Sequence, residues 1–82
     1  MNREYEKLIG TRIRDLREKA NMTQDTLSAK LQLRGCDITR SALAKIEVGQ
    51  RHIYADELRL IKEILGANYT DILDSVKIPP AK

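Results

Sequence analysis

Four side chains near the middle of the chain could bind a partner from a single face of a helix. Their intervals bring residues together on an α-helix, and they are Arg40, Ser41, Ala44 and Lys45. Arginine and lysine donate several hydrogen bonds, and a serine hydroxyl donates or accepts. Such a face suits a partner rich in acceptors. The alternative is that Arg40 and Lys45 merely solvate an exposed surface.

Catalytic and metal-binding chemistry have weaker support in the sequence. His52 and Cys36 are each single residues of their type, so zinc-like ligand spacing is missing and we expect no metal site. Two acidic pairs could serve as acid and base, Asp71 with Asp74 and Asp56 with Glu57. A chain of 82 residues has little room for a deep pocket around them. We therefore predict a protein that is not an enzyme and needs no cofactor.

The charge balance is mildly basic and unevenly distributed. The chain has 15 Lys and Arg against 12 Asp and Glu, with a formal charge of +3. Residues 1–54 hold eleven basic and seven acidic side chains, whereas residues 55–82 hold four and five. A polyanionic partner is compatible with this excess, which is too small to prove one. The position of the excess coincides with the face described above.

The single cysteine and the hydropathy pattern predict where the protein works. Cys36 has no second cysteine to pair with, which is typical of a reducing compartment. No apolar run approaches the roughly 18 residues of a membrane span, and the first residues lack the apolar core of a signal peptide. We expect a soluble cytoplasmic protein without membrane contact.

Apolar residues recur at steps of three and four along most of the chain, which predicts an all-α fold. The expected helices cover about residues 3–20, 24–32, 40–48, 55–65 and 69–74. The residues expected to face inward are Tyr5, Ile9, Ile13, Leu16, Ala20, Leu27, Leu31, Leu43, Ile46, Leu58, Ile61, Leu65, Ile72 and Leu73. The result is one compact bundle of five short helices.

Polar caps and glycines mark where these helices begin and end. Thr23, Thr39 and Asn68 can cap the second, third and fifth helices, because their side chains accept hydrogen bonds from free amides. Gly49 and Gly66 can end the third and fourth, because glycine adopts the left-handed conformation common past a helix end. We expect one domain over residues 1–74 and a flexible tail over 75–82, which contains both prolines.

The order of these motifs resembles the phage-repressor and Cro family of helix-turn-helix domains. The resemblance covers about residues 8–73 and rests on Ile13-x-x-Leu16-Arg17, Met22-Thr23-Gln24-x-x-Leu27, Leu31, Ile38-Thr39-Arg40-Ser41-x-Leu43-x-Lys45-Ile46-Glu47-x-Gly49, Leu58 and Leu65-Gly66. It implies a lambda-repressor-like bundle whose third helix enters the major groove of DNA. The connection Gln32–Ile38 is several residues longer than the family's usual turn, which could change how that helix docks.

The resemblance also implies which residues touch DNA. Arg40, Ser41, Ala44 and Lys45 match positions with which the family reads bases, and arginine or lysine facing guanine is the commonest specific contact. Ala44 could contact a thymine methyl group. Further residues are expected at the phosphate backbone, namely Thr23, Gln24, Arg34, Gln50, Arg51 and His52. Val48 stands where the family often has asparagine, so one side-chain contact is lost.

Two further positions match structural features of the family. Glu47 matches a glutamate that pairs with an arginine of the first helix, here Arg17, and such a bidentate pair would fix helix 3 against helix 1. The alternative is two unrelated surface charges. Ser28 stands where alanine is usual, and its small side chain is expected to serve close packing.

Two functional hypotheses follow. The first is a sequence-specific, repressor-like transcriptional regulator that binds a pseudo-palindromic operator in double-stranded DNA as a homodimer. Its dimer surface would include Leu60, Ile64 and Tyr69, which could equally serve the core alone. The second hypothesis is a protein-interaction module on the same fold, such as an antitoxin or a partner of the transcription machinery.

Overall fold

The computed structural model describes residues 2–74 and, within them, contains five helices and no strand. The elements are α1 Arg3–Lys19, α2 Gln24–Leu33, α3 Arg40–Glu47, α4 Ala55–Leu65 and α5 Thr70–Asp74. The all-α prediction is confirmed, and the bounds agree with those expected within one or two residues. The fifth element is a short π-helical turn rather than an α-helix. The expected tail, 75–82, lies outside the described residues.

Side-chain caps fix where the central helices begin. The Thr23 hydroxyl accepts from the Thr26 amide at 3.0 Å, and the Thr39 hydroxyl accepts from the Ala42 amide at 3.1 Å. Before α5 the arrangement differs from the expected one, because the amide of Asn68 donates to the carboxylate of Asp71 at 2.9 Å. Because Thr39 caps α3, Arg40 is the first residue of that helix.

The core is built from all five helices and two loops. Its ten most buried apolar residues are Ile9, Ile13, Leu27, Leu31, Ile38, Leu43, Ile46, Ile53, Ile61 and Ile72. Ile38 and Ile53 lie in the loops before α3 and α4, where a helical pattern does not point to them. Ala20 was wrongly assigned to the inner face, since α1 ends one residue earlier and Ala20 is exposed.

Gly10 allows α1 to lie directly on the end of α3. A Cβ atom at this position would lie 2.8 Å from the carbonyl oxygen of Glu47 and would also overlap the carbonyl oxygen of Ile46. No side chain larger than hydrogen fits there without a shift of one backbone. The missing side chain of Gly10 therefore sets the distance between α1 and α3.

The long connection between α2 and α3 is held by hydrogen bonds. The Cys36 amide donates to the Leu31 carbonyl at 2.9 Å. The buried Ser28 hydroxyl donates to the Ile38 carbonyl at 2.7 Å, and the Ile38 side chain is fully buried in the core. The extra residues therefore form an ordered turn. Ser28 does more than pack closely, because it also ties α2 to the residue that precedes the cap of α3.

No helix within residues 2–74 combines the length and the apolar character needed to cross a membrane.

Candidate nucleic-acid interface

The outer face of α3 carries the four side chains that were expected to read bases. Arg40, Ser41 and Lys45 are exposed, and Ala44 is half-buried between them. The opposite face packs into the core through buried Leu43 and Ile46. The four residues lie between positions 40 and 45, so all four side chains lie within about one and a half turns.

The starts of α2 and α3 line one shared cleft. It has a volume of about 410 Å³ and is lined by Arg17, Met22, Thr23, Gln24, Asp25 and Arg40. Two expected phosphate-contacting residues, Thr23 and Gln24, thus lie beside an expected base-contacting residue, Arg40. The start of α2 lines this cleft, and free amides at a helix start favour an anion.

Arg17, which lines this cleft, belongs to a buried ion pair. Arg17 Nε donates to Glu47 Oε2 at 2.7 Å, and Arg17 Nη2 donates to Glu47 Oε1 at 3.0 Å. The Glu47 side chain is only 1% exposed. The hydrogen bonding that Arg17 donates to Glu47 raises the pKa of Arg17. Because the carboxylate is buried and paired with Arg17, it does not present an unpaired negative charge to a phosphate backbone.

Two further hydrogen bonds connect this pair to the start of α2 and to the loop before it. Gln24 Nε2 donates to Glu47 Oε1 at 3.0 Å, and Arg17 Nη1 donates to the Met22 carbonyl at 2.7 Å. Every buried side-chain nitrogen or oxygen within residues 2–74 has a hydrogen-bond partner. The four residues therefore connect α1, the start of α2 and the end of α3 in one satisfied network. Sequence reasoning missed the role of Gln24 in this network.

The loop after α3 carries three residues that were expected to contact the DNA backbone, and their hydrogen bonding differs. Gln50 is exposed. Arg51 donates to both carboxylate oxygens of Glu57, at 3.0 and 3.1 Å, and this hydrogen bonding raises the pKa of Arg51 and lowers that of Glu57. His52 Nδ1 lies 3.1 Å from the carboxylate of Glu6. Arg51 and His52 therefore anchor the loop to α4 and α1, and their phosphate contacts stay a prediction.

Arg34 is not brought together with the other expected contacts. It follows α2, whereas Thr23 precedes that helix, and ten helical residues separate them by about 15 Å. Its guanidinium lies 3.2 Å from Glu63 of α4. Arg34 does not line the cleft between α2 and α3, and its contact with DNA stays a prediction.

The surface expected to form a dimer is partly apolar. Tyr69 is exposed, with Lys62 Nζ 4.7 Å from its ring centre, while Leu60 and Ile64 are half-buried. Leu33 was not singled out by sequence reasoning, yet it is 88% exposed and lines a shallow depression with Ile64. The use of this surface in a dimer stays a prediction.

The described residues, 2–74, contain no cluster of three His, Cys, Asp or Glu side chains that could hold a metal ion.

Comparison with known proteins adds two findings. The model of the family described as "Helix-turn-helix domain" matches residues 10–78. The chain is also 33% identical over 72 residues to Control protein C.BamHI of Bacillus amyloliquefaciens, which covers 87% of this chain and 83% of that protein. No solved structure matches the chain significantly.

Proposed function

The chain belongs to the helix-turn-helix domain family, and from this membership we propose that it is a sequence-specific transcriptional regulator, repressor-like, that reads DNA with α3. The observation that carries the proposal is the outer face of α3, where three polar side chains are exposed around Ala44. An α-helix fits the major groove, and arginine and lysine are the side chains that most often contact guanine there. The proposed role is non-enzymatic and cytoplasmic.

The contacts around α3 support separate roles for the residues of the site, some at the bases and others at the phosphates. Arg40 and Lys45 would read bases, with Ser41 and Ala44 between them. Gln24 and Thr23 at the start of α2 would position the protein on a phosphate, because backbone contacts fix the register without carrying sequence information. The Arg17–Glu47 pair would hold α3 at the angle that this docking requires.

We further propose that the protein acts as a homodimer on a pseudo-palindromic operator. One α3 helix offers few base contacts, and two copies spaced about 34 Å apart on the DNA would bind together far more tightly. The apolar surface around Leu60, Ile64 and Tyr69 supports dimer formation. The exposed Leu33 extends the apolar area available for contact with the second copy.

Selection of bound sequences from a random DNA pool tests this function directly. We expect the recovered sites to share two inverted half-sites about one helical turn apart. Gel-shift titrations on the best site then compare two variants. Arg40→Ala is expected to cost about 1–3 kcal/mol and to relax the preference at one base pair, while Gln24→Ala weakens all sites alike.

Arg59→Ala is the matched control for Arg40→Ala. Both side chains are similarly exposed, at 60% and 66%, and both pair with a carboxylate. Arg59 lies on α4, away from α3, so the control removes the same charge without touching the proposed face. Equal losses in both variants would show that Arg40 contributes only its charge. Binding that ignores salt, Arg40→Ala and Gln24→Ala would instead favour a protein partner.

A further inference from the structure

Asp25 is a carboxylate where a DNA-binding surface should be positive. It lies in the first turn of α2, next to Gln24, and lines the same cleft as Arg40. Its side chain is 77% exposed, so burial and packing do not account for it. A negative charge at this place repels phosphates and lowers the affinity for any DNA. At the start of α2 the charge is favoured by the helix dipole, and it also acts on a neighbouring side chain.

The neighbour that Asp25 affects is Arg40. Asp25 Oδ1 lies 3.6 Å from Arg40 Nε, and the two residues belong to different helices. Arg40 is the first residue of α3, whose first turn contains no acidic side chain. A cation at the positive end of a helix dipole is unfavourable. The Asp25 carboxylate offsets this unfavourable interaction with the helix dipole and attracts the Arg40 side chain towards α2.

The geometry of the pair suits guanine recognition. A guanidinium that reads guanine presents two parallel donors to O6 and N7. Within residues 2–74 the carboxylate that pairs with Arg40 is that of Asp25, and its nearest contact is with the Nε atom. This contact leaves the terminal Nη1 and Nη2 groups available for a base. Because Arg40 has several rotatable bonds, electrostatic attraction at its Nε side favours the rotamers in which that side faces Asp25.

We infer that Asp25 is a specificity-determining residue, which positions Arg40 for bidentate contact with guanine and at the same time weakens binding to DNA of other sequence. The inference rests on the proposed function. It deepens that function, because it names the base that Arg40 reads and a residue outside α3 that controls the reading.

The experiment begins with the site selected by the wild-type protein. A double-mutant cycle across the interface identifies the guanine that Arg40 reads. Substitution of this guanine weakens DNA binding by the wild type but causes no further loss of binding by Arg40→Ala. The specificity ratio is then the Kd for the site lacking this guanine divided by the Kd for the intact site. We expect a wild-type ratio of about 5 to 150, the range for a good bidentate contact.

Asp25→Ala and Asp25→Asn are both expected to lower this ratio by about threefold to tenfold. Their affinity for random DNA is expected to be equal or higher, by up to about fivefold, because a negative charge is removed. Glu18→Gln is the control, since it makes the same change in net charge at an exposed residue of α1 that pairs with Arg14. Its specificity ratio should equal that of the wild type.

The outcomes separate the two proposals. If the wild-type protein selects no sequence, the proposed function fails and this inference fails with it. If it selects a site but both Asp25 variants keep the wild-type ratio, only the inference is overturned. An equal fall of the ratio in Glu18→Gln would also overturn it. A lower Tm with an unchanged ratio would show that Asp25 acts only on the α2 dipole.

Discussion

The arginine–carboxylate pairs Arg17–Glu47 and Arg40–Asp25 each join two helices, and they lie in opposite surroundings. Arg17 and Glu47 are buried, bidentate and linked to Gln24, with a shortest separation of 2.7 Å. Arg40 and Asp25 are exposed and lie 3.6 Å apart. A buried pair is costly to break because the remaining charge has no solvent, whereas an exposed pair contributes little stability. The buried pair therefore fixes α1 against α3, whereas the exposed pair leaves the Arg40 side chain accessible to solvent.

The largest effect is expected from breaking the buried pair. Glu47→Ala leaves the Arg17 guanidinium buried without its carboxylate and should lower the free energy of unfolding by about 3–5 kcal/mol. Urea unfolding followed by circular dichroism measures this change. Glu18→Ala removes an exposed carboxylate from the Arg14 pair and should change stability by less than about 0.5 kcal/mol. Similar losses in the two variants would contradict the comparison.

A smaller effect is expected on the buried side when Ser28 is changed. Ser28→Ala removes the 2.7 Å donor to the Ile38 carbonyl and should cost about 1–2 kcal/mol, because a buried acceptor loses its main partner. The Tm of the variant measures this loss. The control is Ser41→Ala, which removes an exposed hydroxyl from α3 and should leave the Tm unchanged. An unchanged Tm in Ser28→Ala would show that the long connection needs no tie to α2.

A third pair, Arg51 with Glu57, lies between these extremes and sharpens the comparison through pH. Hydrogen bonding from Arg51 lowers the pKa of Glu57. The pair's stability is therefore present above the pKa of an unfolded glutamate and is lost as the pH falls through the lower, folded pKa. The Tm of the wild type should fall more steeply on acidification than that of Glu57→Gln. Parallel Tm profiles in acid would contradict this expectation.

The smallest effect on stability is expected at the exposed pair. Asp25→Ala should change the free energy of unfolding by less than about 1 kcal/mol, since it loses only a screened ion pair and a first-turn charge. Urea unfolding of this variant beside Glu47→Ala gives the comparison in one experiment. A loss as large as that of Glu47→Ala would mean that Asp25 belongs to the structural network.

The helices could be predicted from the sequence because local signals determine them. The amphipathic steps of α1 and α4 and the caps Thr23 and Thr39 depend only on neighbouring residues. Ile38 and Ile53 entered the core from loops, where no periodicity marks a buried side chain. Gly10 also escaped notice, since its importance arises from contact with a helix that is distant in sequence.

The candidate site was only partly predictable for the same reason. The outer face of α3 follows from the spacing of its residues. The pairing of Arg17 with Glu47 came from the family resemblance alone, because nothing local connects residues that far apart. The hydrogen bond from Gln24 to Glu47 and the approach of Asp25 to Arg40 depend on how α2 crosses α3. Such crossings are set by packing, which a single sequence does not display.

The bare backbone at Gly10 has a consequence for how this protein can change. Apolar core residues can be exchanged for others of similar volume, because neighbouring side chains adjust to them. At Gly10 the neighbours are the carbonyl oxygens of Ile46 and Glu47, and a backbone has no rotamers with which to adjust. Any replacement there must shift α1 or α3, so sequence drift at this inner position would move the face that is proposed to contact DNA.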